Sequence, residues 1–202
     1  MKAIFLLATL KHNDEVSNTE VLSELLAEKL KDHSIESEIV RLIDYNIPPG
    51  LKSDMGAGDD WPQILKKVLA ADIVIFATPI WWGIASSLMQ RIIERMDELN
   101  DELLETGKSE LANKVGGIVI TGAEDGAQHV IGNLCNFMSW NGLTIPPACS
   151  MSFLGWPNSD TKEEVRKKML EKDKVLLDNA KTMARNLAFF AKLLKQNPVP
   201  TS

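Results

Sequence analysis

Ile73-Val74-Ile75-Phe76-Ala77-Thr78-Pro79-Ile80-Trp81-Trp82-Gly83 is the stretch on which the reading of this chain turns. Ile73–Thr78 is an unbroken apolar run, the mark of a strand covered on both faces. Pro79 is expected to stop that strand, and Pro79 and Gly83 then hold the following connector to a tight turn. Two adjacent tryptophans in such a turn, beside exposed backbone N–H groups, suit a planar aromatic ring with polar edges. The alternative is that one of them packs into the core or against a partner subunit.

Working outward, Ala3–Thr9 and Lys114–Thr121 repeat the buried-strand pattern. Ile35–Ile43 alternates like a strand near a sheet edge, and Leu143–Met151 reads as the last strand. Helical stretches lie between them. Ser17-Asn18-Thr19-Glu20 is a capping box opening a helix with Leu22, Leu25, Leu26 and Leu30 on one side. Asp44–Asp60 is loop, with Asp60 capping a helix from Pro62 to Ala71. Ser86–Leu99 has helical spacing at Leu88, Ile92, Met96 and Leu99, and Ala127–Trp140 reads as a further helix. Thr161-x-x-Glu164 is a second capping box, heading a helix expected to run to Leu194. Five strands separated by helices imply an α/β chain, a five-stranded parallel sheet with helices on both faces.

Composition narrows the function. The 202 residues, 45% apolar and 25% charged, are expected to form one domain over residues 1–202. The net charge of −6 argues against nucleic acid as a partner, because phosphate neutralisation needs a basic surface. Ten Lys/Arg against five Asp/Glu in residues 161–202 read as a solvated helix face. No stretch reads as a membrane span or a leader peptide, so a cytoplasmic protein is expected. Cys135 and Cys149 form no CxxC pair and His12, His33 and His129 are scattered, which leaves no ligand set for zinc or an iron–sulfur cluster. No hydrolase elbow surrounds Ser86 and Ser87.

In a doubly wound sheet, ligands bind beyond the carboxyl ends of the strands. The first loop there, Thr9–Thr19, places Thr9, Lys11, Ser17, Asn18 and Thr19 at a helix start, a favourable place for phosphate, although Ser17 could be an N-cap only. It carries no Gly, so it is neither a Walker loop nor a dinucleotide fingerprint. The second is Pro79, Ile80, Trp81, Trp82 and Gly83. In the third, Thr121, Gly122, Glu124, Asp125 and Gly126 allow close backbone approach to a ligand, while the two carboxylates could simply cap a helix.

Together these loops resemble the NADPH-dependent FMN reductase branch of the flavodoxin-like superfamily, over roughly residues 2–150. Phe76-Ala77-Thr78-Pro79-Ile80-Trp81-Trp82-Gly83, continuing through Ser86-Ser87-Leu88 to Asp97, is the strongest match. Lys114–Thr121 followed by Gly122-Ala123-Glu124-Asp125-Gly126-Ala127 is the second, and Thr9–Thr19 a looser third. The family's first loop usually has a Gly-Ser pair and an Arg two residues on, where this chain has Ala8, Thr9 and Lys11. Ala85 stands where the family often has Pro.

The resemblance implies a flavodoxin-like three-layer sandwich that binds FMN. The first loop would hold its phosphate, the second would line one edge and face of the isoalloxazine, and the third would close the other side. It further implies NADPH or NADH as hydride donor, a small acceptor such as a quinone or free flavin, and no obligatory side-chain acid or base. A flavodoxin-like electron carrier, or a flavin-free assembly role, are the competing expectations. Gly126–Ser159 contains no Asp, Glu, Lys or Arg over 34 residues and includes Phe137, Trp140, Phe153 and Trp156, from which a homodimer or higher homo-oligomer is expected, the alternative being a helix and a strand buried in the core.

Overall fold

A computed structural model describes residues 1–200. In chain order the elements are β1 (Lys2–Leu7), α1 (Asn18–Lys31), β2 (Glu36–Arg41), α2 (Trp61–Ala70), β3 (Ile73–Trp81), β4 (Ile84–Ala85), α3 (Ser87–Arg95) and α4 (Asp97–Thr106). They continue with β5 (Val115–Gly122), α5 (Ala127–Trp140), β6 (Ser150–Leu154), α6 (Lys162–Lys172) and α7 (Leu176–Gln196). Five strands pair in parallel in the order β2-β1-β3-β5-β6, with β4 turned back antiparallel on the end of β3.

Alternation along the strands divides the core into two layers. Phe5, Leu7, Ile73 and Ile75 pack with α1, α6 and α7 on one face. Ile4, Leu6, Val74, Phe76, Ile118 and Ile120 pack with α2, α3, α4 and α5 on the other. The order β2-β1-β3-β5-β6 with helices on both faces is the flavodoxin-like sandwich that the resemblance implies.

Several boundaries differ from expectation, each for a local reason. Pro79 does not end β3, which runs to Trp81 and pairs Pro79 with Thr121. Ala77 turns its carbonyl toward β1, accepting from Ala8, so Pro79, two residues on, turns its missing N–H to the same side. There β1 has already ended at Leu7, and the ladder loses no donor.

The stretch expected as one helix from Ser86 is two, α3 and α4, meeting at Met96. Leu88, Ile92, Met96 and Leu99 stay buried through the break, so their spacing does not reveal it. The C-terminal helix likewise divides into α6 and α7. The Asp173 carboxylate accepts from the Val175 N–H at 3.0 Å, a local turn that competes with the helix. Asp60 is the N-cap residue of α2, as expected, but its side chain makes no capping bond: its carboxylate binds the Asn46 N–H, and the Trp61 N–H donates instead to Asp59 at 2.9 Å. The last strand lies at Ser150–Leu154, later than expected: Pro146 and Pro147 lack donors, Ala148 sits at φ +52°, and only Thr144 bridges to Val115 before the ladder starts.

Candidate functional site

The strand order makes β1, β3 and β5 neighbours, so their carboxyl-end loops open on one edge of the sheet. β1 connects to β2 on one side and the chain then returns to β3 on the other, which creates a switch point there.

Ser17 is the N-cap of α1, its hydroxyl accepting from the Glu20 N–H at 3.3 Å and its carbonyl from Val21. The amides of Asn18 and Thr19, in the first turn, have no acceptor within the helix. The expected capping box is half formed. The Glu20 carboxylate does not reach back to Ser17 but binds Arg41 and Lys162. The buried hydroxyls of Thr19 and Thr121 meet at 2.6 Å, joining the start of α1 to the end of β5.

In the second loop β3 and β4 form a hairpin whose two turn residues, Trp82 and Gly83, have φ +51° and +80°. Positive φ at both central residues is the requirement of a type I′ turn, which strongly prefers Asn-Gly. A tryptophan there carries about 1–2 kcal/mol of backbone strain. Trp82 is also 99% exposed and Trp81 49%, so neither residue is held there by core packing. The base of the hairpin is tied to β1: Thr78 Oγ1 accepts from the Ser86 N–H at 3.1 Å, and the Ser86 hydroxyl donates to the Ala8 carbonyl at 2.7 Å. Ser86 also caps α3.

Glu124 and Asp125 of the third loop are exposed, and Gly126, at φ +91°, lies against Gly83. A fourth loop, after β6, joins through the Gly155 N–H, which donates to the Gly122 carbonyl at 2.7 Å.

The result is a cleft of about 580 Å³. Thr9, Lys11, Ser17, Asn18, Thr19, Pro79, Ile80, Trp81, Trp82, Gly83, Thr121, Gly122, Glu124 and Asp125 all line it. Of the expected loop residues Gly126 alone does not; it stands behind the wall, supporting Gly83. Leu10, Ala123, Gly155, Trp156 and Asn158 also line the cleft, beyond the expected set. Placing the last strand too early puts the loop after it in the wrong position, and Trp156 carries only an interface reading in the sequence. Lys11, Glu124 and Asp125 are the lining charges, and the Lys11 ammonium donates to the Val16 carbonyl at 2.8 Å. Among the described residues, no group of His, Cys, Asp and Glu is placed to hold a metal ion.

The family model of the NADPH-dependent FMN reductases matches residues 1–156. The chain is 35% identical over 167 residues to 8-demethyl-8-aminoriboflavin-5′-phosphate synthase of Streptomyces davaonensis, covering 77% of this chain and 64% of that protein. It is 35% identical over 159 residues to a divalent metal cation transporter, MntH, of Mycobacterium bovis, covering 77% of this chain but 23% of that protein. The chain thus spans less than two thirds of the length of either relative. Among the described residues, no helix is long and apolar enough to cross a membrane. A crystal structure of RosB with bound 8-demethyl-8-formylriboflavin-5′-phosphate superposes with a TM-score of 0.76 at 26% identity, over 98% of this chain and 82% of that one.

Proposed function

The chain belongs to the NADPH-dependent FMN reductase family, and from that membership we propose that it is an FMN-dependent NAD(P)H oxidoreductase reducing a small acceptor such as a quinone or free flavin. The observation that carries this reading is the polarity of the cleft. Hydroxyls, free first-turn amides and one Lys stand at one end, and two exposed tryptophans at the other.

The donor set fits an FMN phosphate. Thr9, Ser17 and Thr19 offer hydroxyls, Asn18 and Thr19 offer amides at the positive end of α1, and Lys11 adds a cation. The one carboxylate in that helix turn, Glu20, is neutralised by Arg41 and Lys162. Pro79, Ile80, Trp81, Trp82 and Gly83 would line one edge and face of the ring, and Thr121, Gly122, Glu124 and Asp125 would close the opposite side. Gly126 acts by seating Gly83. Bound FMN supplies hydride acceptance and onward electron transfer. The residues bind and orient the reactants, the cleft opening serving NADPH or NADH and the acceptor in turn. The whole chain works as one FMN-binding unit, a homodimer in the cytoplasm.

A second reading is favoured by the flavin-phosphate relatives: a riboflavin phosphate is the substrate at this cleft instead of a resident cofactor. FMN titration followed by flavin and Trp fluorescence, then anaerobic mixing with NADPH and with NADH, tests the main reading. We expect stoichiometric quenching at micromolar protein, bleaching by at least one nucleotide, and recovery of unchanged FMN by mass spectrometry after turnover. No quenching overturns flavin binding. Bleaching by dithionite alone makes the protein an electron carrier, and a changed flavin mass makes the flavin a substrate.

A further inference from the structure

We propose that Arg41, at the end of the edge strand β2, is the positioning residue that turns the glycine-free Thr9–Thr19 loop into a phosphate cradle. This rests on the FMN reading above. Parallel pairing of Arg41 with Leu7 sets it beside the exit of β1, where that loop begins. Arg41 is 7% exposed and does not line the cleft. One guanidinium nitrogen, Nη1, donates to the carbonyls of Lys11 at 2.9 Å, His12 at 2.5 Å and Glu15 at 3.4 Å. The other, Nη2, binds the Glu20 carboxylate at 2.5 Å.

Two consequences follow for an anion in the cleft. A phosphate is bound by N–H groups and repelled by carbonyl oxygens and carboxylates. Gly-rich phosphate loops turn their amides inward through backbone freedom; with no Gly in residues 9–19, this loop is shaped by hydrogen bonds instead, by its own turn from the Glu15 N–H to the His12 carbonyl at 3.0 Å and by Arg41 from outside. Arg41 draws three loop carbonyls toward itself, off the cleft wall. It also holds the Glu20 charge, which at the third position of α1 would otherwise compete with phosphate for the helix N-terminus. A lysine has the charge but not the planar fork that reaches carbonyls and a carboxylate together.

The test compares FMN with riboflavin, which shares the ring and lacks the phosphate. Dissociation constants for both are measured by fluorescence quenching on wild type, Arg41→Gln and Arg41→Lys, with thermal melts to show that each variant is folded. We expect Arg41→Gln to weaken FMN by about tenfold, the factor corresponding to 1.4 kcal/mol, and riboflavin by less than about twofold, a twofold change being only ~0.4 kcal/mol. Arg41→Lys falls between, and supplies the same ratio if the Gln variant does not fold. A lowered melting temperature with both affinities unchanged, or both reduced alike, shows a structural role only and overturns the inference. Failure of the wild type to bind FMN overturns the cofactor reading, and this inference with it.

Discussion

Gly83 and Gly126 lie backbone against backbone: a Cβ on Gly126 would stand 2.8 Å from the Gly83 Cα and 3.1 Å from its carbonyl oxygen. This contact seats the tip of the β3–β4 hairpin on the start of α5 and so sets the width of the cleft between the second and third loops. Neither residue can carry a side chain without cost, since both have positive φ.

Gly126→Ala therefore loses on two counts, the clash with Gly83 and an alanine at φ +91°. We expect a stability loss of about 1–3 kcal/mol and weaker FMN binding. Urea melts with an unchanged midpoint would show that the hairpin gives way freely and that the contact sets nothing.

Trp82→Asn separates folding from binding. Asparagine suits the turn, and a 99% exposed indole contributes no core burial, so stability should rise by up to about 1 kcal/mol. FMN affinity should fall by about 1–3 kcal/mol, the scale of lost aromatic stacking on a base. A loss of both stability and affinity would instead mean that Trp82 is a packing residue.

Arg95 and Asp59 form an ion pair with both side chains at most 1% exposed, and Arg95 also donates to the carbonyls of Pro48, Lys52 and Ser53. It thereby anchors the long loop between β2 and α2. Asp59→Ala, which strands that cation, should cost about 3–5 kcal/mol. Burial pushes the Asp59 carboxyl up, but the Arg95 guanidinium and the Met55 and Trp61 amides outweigh it and hold its pKa below the ordinary value. A carboxyl with a depressed folded pKa stabilises the protein fully above its unfolded pKa and loses that contribution as pH falls through the folded one. Stability should thus decline on acidification below about pH 4, and Asp59→Asn should flatten this part of the profile. An identical acid profile in the variant would remove Asp59 from the account.

Gly132 lies mid-way along α5 on an outward face with Gln128, Asn136 and Ser139, and a Cβ there would meet nothing within 4 Å. The chain itself gives no packing reason for a helix-interior glycine, which costs about 1 kcal/mol relative to alanine. In the homodimer reading this face receives a second copy, and Gly132→Lys should convert a dimer to a monomer without unfolding it. Sedimentation at tens of micromolar checks this. A wild-type monomer would show that the lack of charge in this stretch reflects core packing alone, which already buries Val130, Leu134, Met138, Met151 and Phe153.

The local code is legible where one residue type has one physical use. Ser17 and Thr161 stand at helix starts, and their hydroxyls accept the expected kind of backbone N–H bond. The apolar runs become the central strands because a strand buried on both faces must be apolar throughout. With the two-sided helix pattern, that is enough for the layer order and for the strand ends at which the three loops lie.

Other features depend on partners distant in the chain. The breaks at Met96 and Asp173 leave the apolar stripe intact, so periodicity passes over them. Gly126 reads in the sequence as touching a ligand, but its constraint is Gly83, and only packing brings the two together. Arg41 is inconspicuous as the last residue of an edge strand, because a lone arginine there is ordinarily a solvated charge. Short-range periodicity alone fixes the buried central strands, which face each helix buries, and which of the first three loops carry donors and aromatics, since each of these follows from neighbours a few residues apart; it does not place β6. Which loops wall one cleft, where Trp156 sits, and that the Arg41 guanidinium turns inward to Glu20 and the first loop's carbonyls all depend on geometry across the sheet, and no local pattern encodes them.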